Sequence, residues 1–275
     1  MPAGNDAFVV ADARIPTTRH DVADAEANVE AAETTVKAAE RKVQRAEAKV
    51  QAAKSQEEAA DAKVELAEAK VELAEAKVQV AEAQVQVAEA QVQVAEAKVQ
   101  VAEAKVQATV KGAKSEEEAA DAKVELAEAK VKLAKGEVKL AKGEVKLAEG
   151  KVKLAEGKVK LADTNLTDAE TAEREASDHL STARYASLKC STGEKSEYEV
   201  RLEEAKTTFK SAQSRSTRAL EAYNGARQGL KAATEGLKAA IEGWKAAIKG
   251  LNAPQGLYDS AVNVLTSLQG MVLCS

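Results

Sequence analysis

A seven-residue repeat of valine and alanine constrains this chain more than any other feature. From Val22 to Val106 a valine recurs every seven residues, apart from Glu57, and an alanine follows three residues after each position as far as Ala102. Apolar residues at alternating spacings of three and four predict a helix that buries a narrow stripe against another helix. We assign the Val22 row to heptad position a and the Ala25 row to position d.

The repeat changes phase once and contains an internal copy. Residues 53–71 recur at 113–131 with one difference, and the valine row restarts at Val110, four residues after Val106. A four-residue insertion is a stutter, which a coiled coil can absorb. Serines followed by a glutamate three residues later, as in a capping box, occur at Ser55 and Ser115. Because the heptad phase runs unchanged across Glu57, we expect one long helix over 20–190, with a stutter or break near 107–116.

A second apolar stripe occupies positions c and f in the middle of the chain. Leucine or valine fills c from Leu66 to Val101 and leucine fills c from Leu126 to Leu161, while f changes from alanine to glycine in the second copy. A helix that is apolar on two faces is expected between two neighbours. Two explanations of the glycines stay open, close approach of another backbone and drift of the repeat. The glycines are Gly136, Gly143, Gly150 and Gly157.

The remaining segments predict a shorter helix that folds back. An independent leucine/alanine heptad row covers 194–252 after a turn at 190–193, and residues 257–275 predict a short amphipathic helix and tail. Residues 1–19 are expected to be disordered or irregular. Short connections favour antiparallel neighbours, which places Trp244 opposite 135–150. The predicted fold is all-α, an elongated coiled coil with one very long heptad helix and a shorter antiparallel helix.

Charges beside the a/d stripe favour a parallel homodimer. Position e is glutamate from Glu68 to Glu103, and position g is lysine or glutamine from Lys63 to Lys105. Parallel copies bring g against e and pair unlike charges, whereas antiparallel copies bring like charges together. The predicted partner is therefore a second copy or another coiled-coil protein.

The sequence predicts no catalytic, cofactor or metal site. His20 and His179 are far apart and have no ligand-spaced cysteine or paired carboxylates. Cys190 is interpreted as an ordinary surface cysteine, and Trp244 as a core residue of the leucine/alanine row. We therefore expect a protein that is not an enzyme, binds no small-molecule substrate and has no cofactor.

Composition favours a structural role. The net charge of −5 does not indicate nucleic acid, and no signal peptide or transmembrane segment is evident, so a cytoplasmic location is expected. The hypothesis is a scaffolding coiled coil that acts through self-association or partner binding. One alternative is a hydration-stress protectant similar to late-embryogenesis-abundant proteins, whose repeats are typically eleven residues long. The other is a lipid-surface protein that uses the lysine-flanked 126–161 face.

Overall fold

The computed structural model describes residues 3–112, 116–189 and 195–272, which form four packed helices and contain no strand. They are α1 (Ala3–Ala52), α2 (Gln56–Gly112), α3 (Glu116–Lys189) and α4 (Lys195–Val272). The prediction of an all-α fold is confirmed. One very long helix over 20–190 is not confirmed, because that span contains three helices.

The first helix ends at Ala52, and residues 53–55 connect it to α2. The sequence interpretation placed a continuous helix there. The Ser55 hydroxyl accepts the N–H of Glu58 at 3.1 Å, and the Glu58 carboxylate accepts the N–H of Lys54 at 2.9 Å. The Ala59 N–H donates to the Ser55 carbonyl at 3.0 Å, so Ser55 is the N-cap of α2. The capping signal therefore decided the local structure, and the unbroken heptad phase did not.

Other helix ends also differ from the sequence interpretation. Residues 3–19 belong to α1, although an irregular segment was expected there. The last helix was expected to end at residue 252, but α4 continues through Pro254 to Val272. Beyond that proline the Ser260 hydroxyl donates to the Gly256 carbonyl at 2.8 Å, as in a regular helix. The expected break near Gly112 agrees with the end of α2, while Ser115 and the 190–193 turn lie outside the described residues.

The chain divides into two compact units, and each unit contains one segment of every helix. Unit 1 comprises Met1–Val36, Ala76–Gly150 and Glu235–Ser275. Unit 2 comprises Lys37–Glu75 and Lys151–Thr234.

In unit 1, α2 is buried on both of its apolar faces. The alanines at f from Ala76 to Ala97 and the valines at a from Val78 to Val99 are all buried. On the f side, Ala90 lines a shallow groove together with Ala25 of α1. On the a side, Val85 and Val92 face glycines of α3. The expectation that a two-faced helix lies between neighbours therefore holds for α2.

Helix α2 lies close to the glycine row of α3. In unit 1, a Cβ atom placed on Gly136, Gly143 or Gly150 would lie 3.4 Å from a valine Cγ2 of α2. In unit 2, the same construction at Gly157 gives 3.5 Å to Val71. These are ordinary van der Waals distances, so alanine would still fit, but a larger side chain would meet the α2 backbone 4.0 Å away in unit 1.

The core of unit 2 contains a cluster between the apolar stripes of α1 and α2. Val43 and Ala46 at a and d of α1 form a buried cluster with Ala69 at f of α2, and Leu66 and Leu73 pack against it. The a/d stripe of one helix thus packs on the c/f stripe of the next. Alanine and valine bury little area each, so close spacing of the helices supplies the packing.

Ion pairs beside these stripes match unlike charges between antiparallel helices. In unit 2, Lys49 at g of α1 lies 2.5 Å from Glu65 at b of α2, and Lys42 lies 2.6 Å from Glu72. In unit 1, Lys105 at g of α2 lies 2.9 Å from Glu125 at b of α3. In the predicted parallel homodimer, the a/d stripe of one copy would pack on the a/d stripe of the other. Within the chain that stripe meets the c/f stripe, which brings different charges together.

Candidate interaction surfaces

One uncovered apolar surface of unit 1 is a face of α4. Its half-buried residues recur with the predicted leucine/alanine row, but no described residue of α4 reaches full burial. The neighbouring heptad rows are exposed and consist mainly of small residues. We call this set the open face of α4: Gly236, Ala239, Gly243, Ala246, Gly250, Ala253, Leu257 and Val264.

The open face changes from small to large residues along one heptad row. Gly236, Gly243 and Gly250 have no atom within 4 Å of a constructed Cβ, in contrast to the filled glycine row of α3. The next two positions of the same row are Leu257 and Val264, which are 60% and 56% exposed. Exposed branched side chains next to an empty glycine row are complementary halves of a helix-packing surface.

Unit 2 contains an apolar groove of about 910 Å³ between α3 and α4. Its walls include Leu154 and Leu161 of α3, and its floor includes Gly225 and Gly229 of α4. The charged residues that line the groove are all basic: Lys151, Lys158, Arg215 and Arg218. An apolar cavity with a few charged groups at its rim is typical of a ligand site.

A second groove of unit 2, of about 1120 Å³, is more polar than the first. Arg215 borders both grooves, and the polar one also contains Glu175, Asp178 and Glu204. His179 lines this groove but is exposed. Within the described ranges no group of three or more histidine, cysteine or acidic side chains has the arrangement of a metal site.

The residues that the sequence singled out do not come together. His20 is exposed and lies 3.9 Å from Asp24 in the same helix. Cys190 lies outside the described residues. Trp244 is half-buried, less than expected, and its indole Nε1 is buried without a hydrogen-bond partner among the described residues. Sequence reasoning missed the open face, although the exact heptad spacing of the α4 glycines could have revealed it.

The 126–161 face is covered only in part. In unit 1, Gly136 and Gly143 on this face lie against valines of α2, whereas in unit 2 Leu154 and Leu161 on the same face line the apolar groove. None of the helices, over the ranges that the structure describes, is long and apolar enough to cross a membrane.

No known protein family, curated protein or solved structure matches this chain. The described surfaces are therefore the guide to its function.

Proposed function

We propose that the protein is a non-enzymatic helical scaffold that self-associates through the open face of α4. The observation that carries this proposal is the exposed glycine row that ends in Leu257 and Val264. The valines of the a row, the first candidates for self-association, are covered by other helices of the same chain at Val78, Val85, Val92 and Val99. In unit 1, α4 keeps exposed apolar residues, among them Leu257 and Val264.

An antiparallel pair of α4 helices would satisfy this face. With a twofold axis between Gly243 and Gly250, Leu257 of each copy lies over Gly236 of the other. This is the large-on-glycine packing that joins α2 to α3 inside the chain. A twofold interface of this kind uses one surface twice and closes on itself.

Charge supports the same register. Glu242 and Lys249 flank the open face, and the antiparallel register brings Glu242 of one copy beside Lys249 of the other. Glu242 already lies 2.7 Å from Lys245 within its own helix. Lys249 has no ion pair within the described part of the chain, so pairing with a second copy would add a new contact. Such pairs contribute little energy each but select orientation.

Sedimentation velocity tests the surface. At about 50 µM protein we expect a dimer for the natural sequence and a monomer for the Leu257→Glu, Val264→Glu variant, because two desolvated carboxylates would oppose association. The matched control is Val200→Glu with Leu220→Glu, which changes two exposed aliphatic residues of α4 in unit 2. A monomeric natural protein, or equal disruption by the control, would refute the proposal.

Cysteine crosslinking tests the orientation. After Cys190 and Cys274 are replaced by serine, a mixture of the Ala239→Cys and Ala253→Cys proteins should form mixed disulfides, because the antiparallel register places these positions together. A parallel pair would instead crosslink each variant to itself. Charge reversal gives a second check: Glu242→Lys and Lys249→Glu should each weaken the dimer, and the double variant should recover affinity.

A further inference from the structure

The groove of unit 2 has open space at the centre of an apolar lining. A Cβ atom placed on Gly225 or Gly229 would meet nothing within 4 Å. Leu154 and Leu161 are half-buried on the opposite wall. The small α4 residues therefore create room along the groove, and the leucines supply apolar surface that a ligand could cover.

The charge of the groove is one-sided. Among its lining residues four are basic and none is acidic. Lys158 is already paired with Glu75 at 3.1 Å, and Lys151 also has a partner. Arg215 and Arg218 have no ion pair within the part of the chain that the structure describes, although Arg215 also borders the polar groove. Their guanidinium groups suit a carboxylate, which they can bind through two parallel hydrogen bonds.

The length of the groove fits one long alkyl chain. On α4 the apolar lining runs from Ala219 to Ala233, which is roughly 21 Å of helix at 1.5 Å per residue. One acyl chain of a bilayer lipid spans about 15 Å, half of the hydrocarbon core. Arg215 and Arg218 lie at one end of this lining, where the head group of an extended amphiphile would be placed.

From these observations we propose that the unit 2 groove binds a free long-chain carboxylate, such as a fatty acid. The carboxylate pairs with Arg215 and Arg218, and the alkyl chain lies between Leu154, Leu161 and the α4 glycines. A membrane surface fits less well, because the lining consists of small and half-buried residues, whereas lipid-surface helices present bulky and aromatic anchors. The α4 register proposed above places Val264 of a second copy over Gly229, so the two proposals share that glycine, but Arg215 and Arg218 lie outside the open face of α4 and test the groove independently.

Displacement of a fluorescent fatty acid tests the site directly. Titration of the full chain with cis-parinaric acid should give saturable fluorescence with one site per chain, and palmitate should displace the probe. Methyl palmitate keeps the alkyl chain and loses the charge, so we expect it to compete at least about tenfold more weakly. Equal competition by the acid and the ester would overturn the role of the arginines.

Two variants separate the head-group and tail contacts. Arg215→Gln with Arg218→Gln should weaken palmitate binding about tenfold or more, while Lys153→Gln with Lys160→Gln removes equal charge from α3 outside the lining and should leave it unchanged. Gly225→Leu with Gly229→Leu should block the groove without harming the fold, because both positions open onto empty space. Gly256→Leu is the control for glycine substitution.

Further outcomes would overturn the proposal. One is non-saturable binding of cis-parinaric acid, and another is an affinity that the Gly225→Leu, Gly229→Leu variant leaves unchanged. A third is co-sedimentation with phosphatidylserine vesicles without any binding of free palmitate, which would assign the basic groove to a membrane instead. Sedimentation of the Arg215→Gln, Arg218→Gln variant should still show the α4 dimer, so failure of one proposal does not imply failure of the other.

Discussion

At the scale of single residues, neighbouring helices decide what each repeated residue does. Gly143 and Gly243 occupy similar repeats, yet a Cβ on Gly143 would contact Val85, while one on Gly243 would meet nothing. The sequence predicts where glycines recur, because spacing is visible in it. It does not predict which row is filled, because that depends on which helix lies opposite.

Trp244 provides a residue-scale prediction. Its indole N–H is buried and has no partner in the described part of the chain, so replacement by phenylalanine removes an unsatisfied donor and keeps most of the ring. We expect Trp244→Phe to leave the free energy of unfolding unchanged or slightly higher. Trp244→Ala should lower it by about 3 kcal/mol, since the ring is half-buried. Urea unfolding followed by circular dichroism measures both, and a loss of about 1 kcal/mol or more for Trp244→Phe would show that the N–H has a partner.

At the scale of helices, the sequence predicts helix content better than helix ends. The a row keeps its seven-residue spacing from Val50 through Glu57 to Val64, although α1 ends at Ala52 and α2 begins at Gln56. The three connecting residues are counted within that spacing, so the repeat in the sequence does not show the turn. Glu57 and Glu117 interrupt the valine row, and each falls in the first turn of a helix. In α3 the carboxylate of Glu117 interacts favourably with the helix dipole. The charge at position a thus marked a helix start.

The N-cap at Ser55 tests this account of the turn. Ser55→Ala removes the acceptor for the Glu58 N–H and should lower stability by about 1 kcal/mol. Ser214→Ala is the matched control, because that hydroxyl only donates to the Lys210 carbonyl within α4. Chemical denaturation with far-UV circular dichroism compares the two. Equal small losses would mean that the cap does not hold the turn.

The pairing of α2 with α3 in unit 1 brings glutamates of the two helices opposite each other, and a lysine on one helix would remove the repulsion. Lys130 lies 3.0 Å from Glu103. Moving one heptad along each helix brings Glu96 opposite Glu137, and a second heptad brings Glu89 opposite Glu144. Glu137→Lys and Glu144→Lys should therefore each raise stability by about 0.5 kcal/mol.

A charge-matched control distinguishes this pairing from a general effect of net charge. Glu149→Lys with Glu156→Lys makes the same change in net charge at position e of α3, beside its other apolar stripe. The gain at 137 and 144 should exceed that of the control at low salt and shrink at high salt, because exposed charges are screened. Equal gains in both variants would contradict the register.

At the scale of the whole molecule, helix formation depends on contacts inside one chain. The sequence predicted helices that need partners but assigned those partners to other chains, since a repeat alone cannot distinguish a long helix in a dimer from several shorter helices in one bundle. The three-residue turn at 53–55 makes the difference, because it brings the a/d stripe of α1 onto the c/f stripe of α2. In unit 2 this is the buried cluster of Val43, Ala46 and Ala69.

Dilution tests this origin of helicity. The Leu257→Glu, Val264→Glu variant removes the proposed dimer contact and leaves the buried valines and alanines untouched. We expect its far-UV circular dichroism and melting temperature to stay constant from about 1 to 100 µM, because an intramolecular transition does not depend on concentration. Helicity that falls on dilution would instead support helices stabilised between chains, and a chain that is unfolded in water at every concentration would favour the desiccation-protectant alternative.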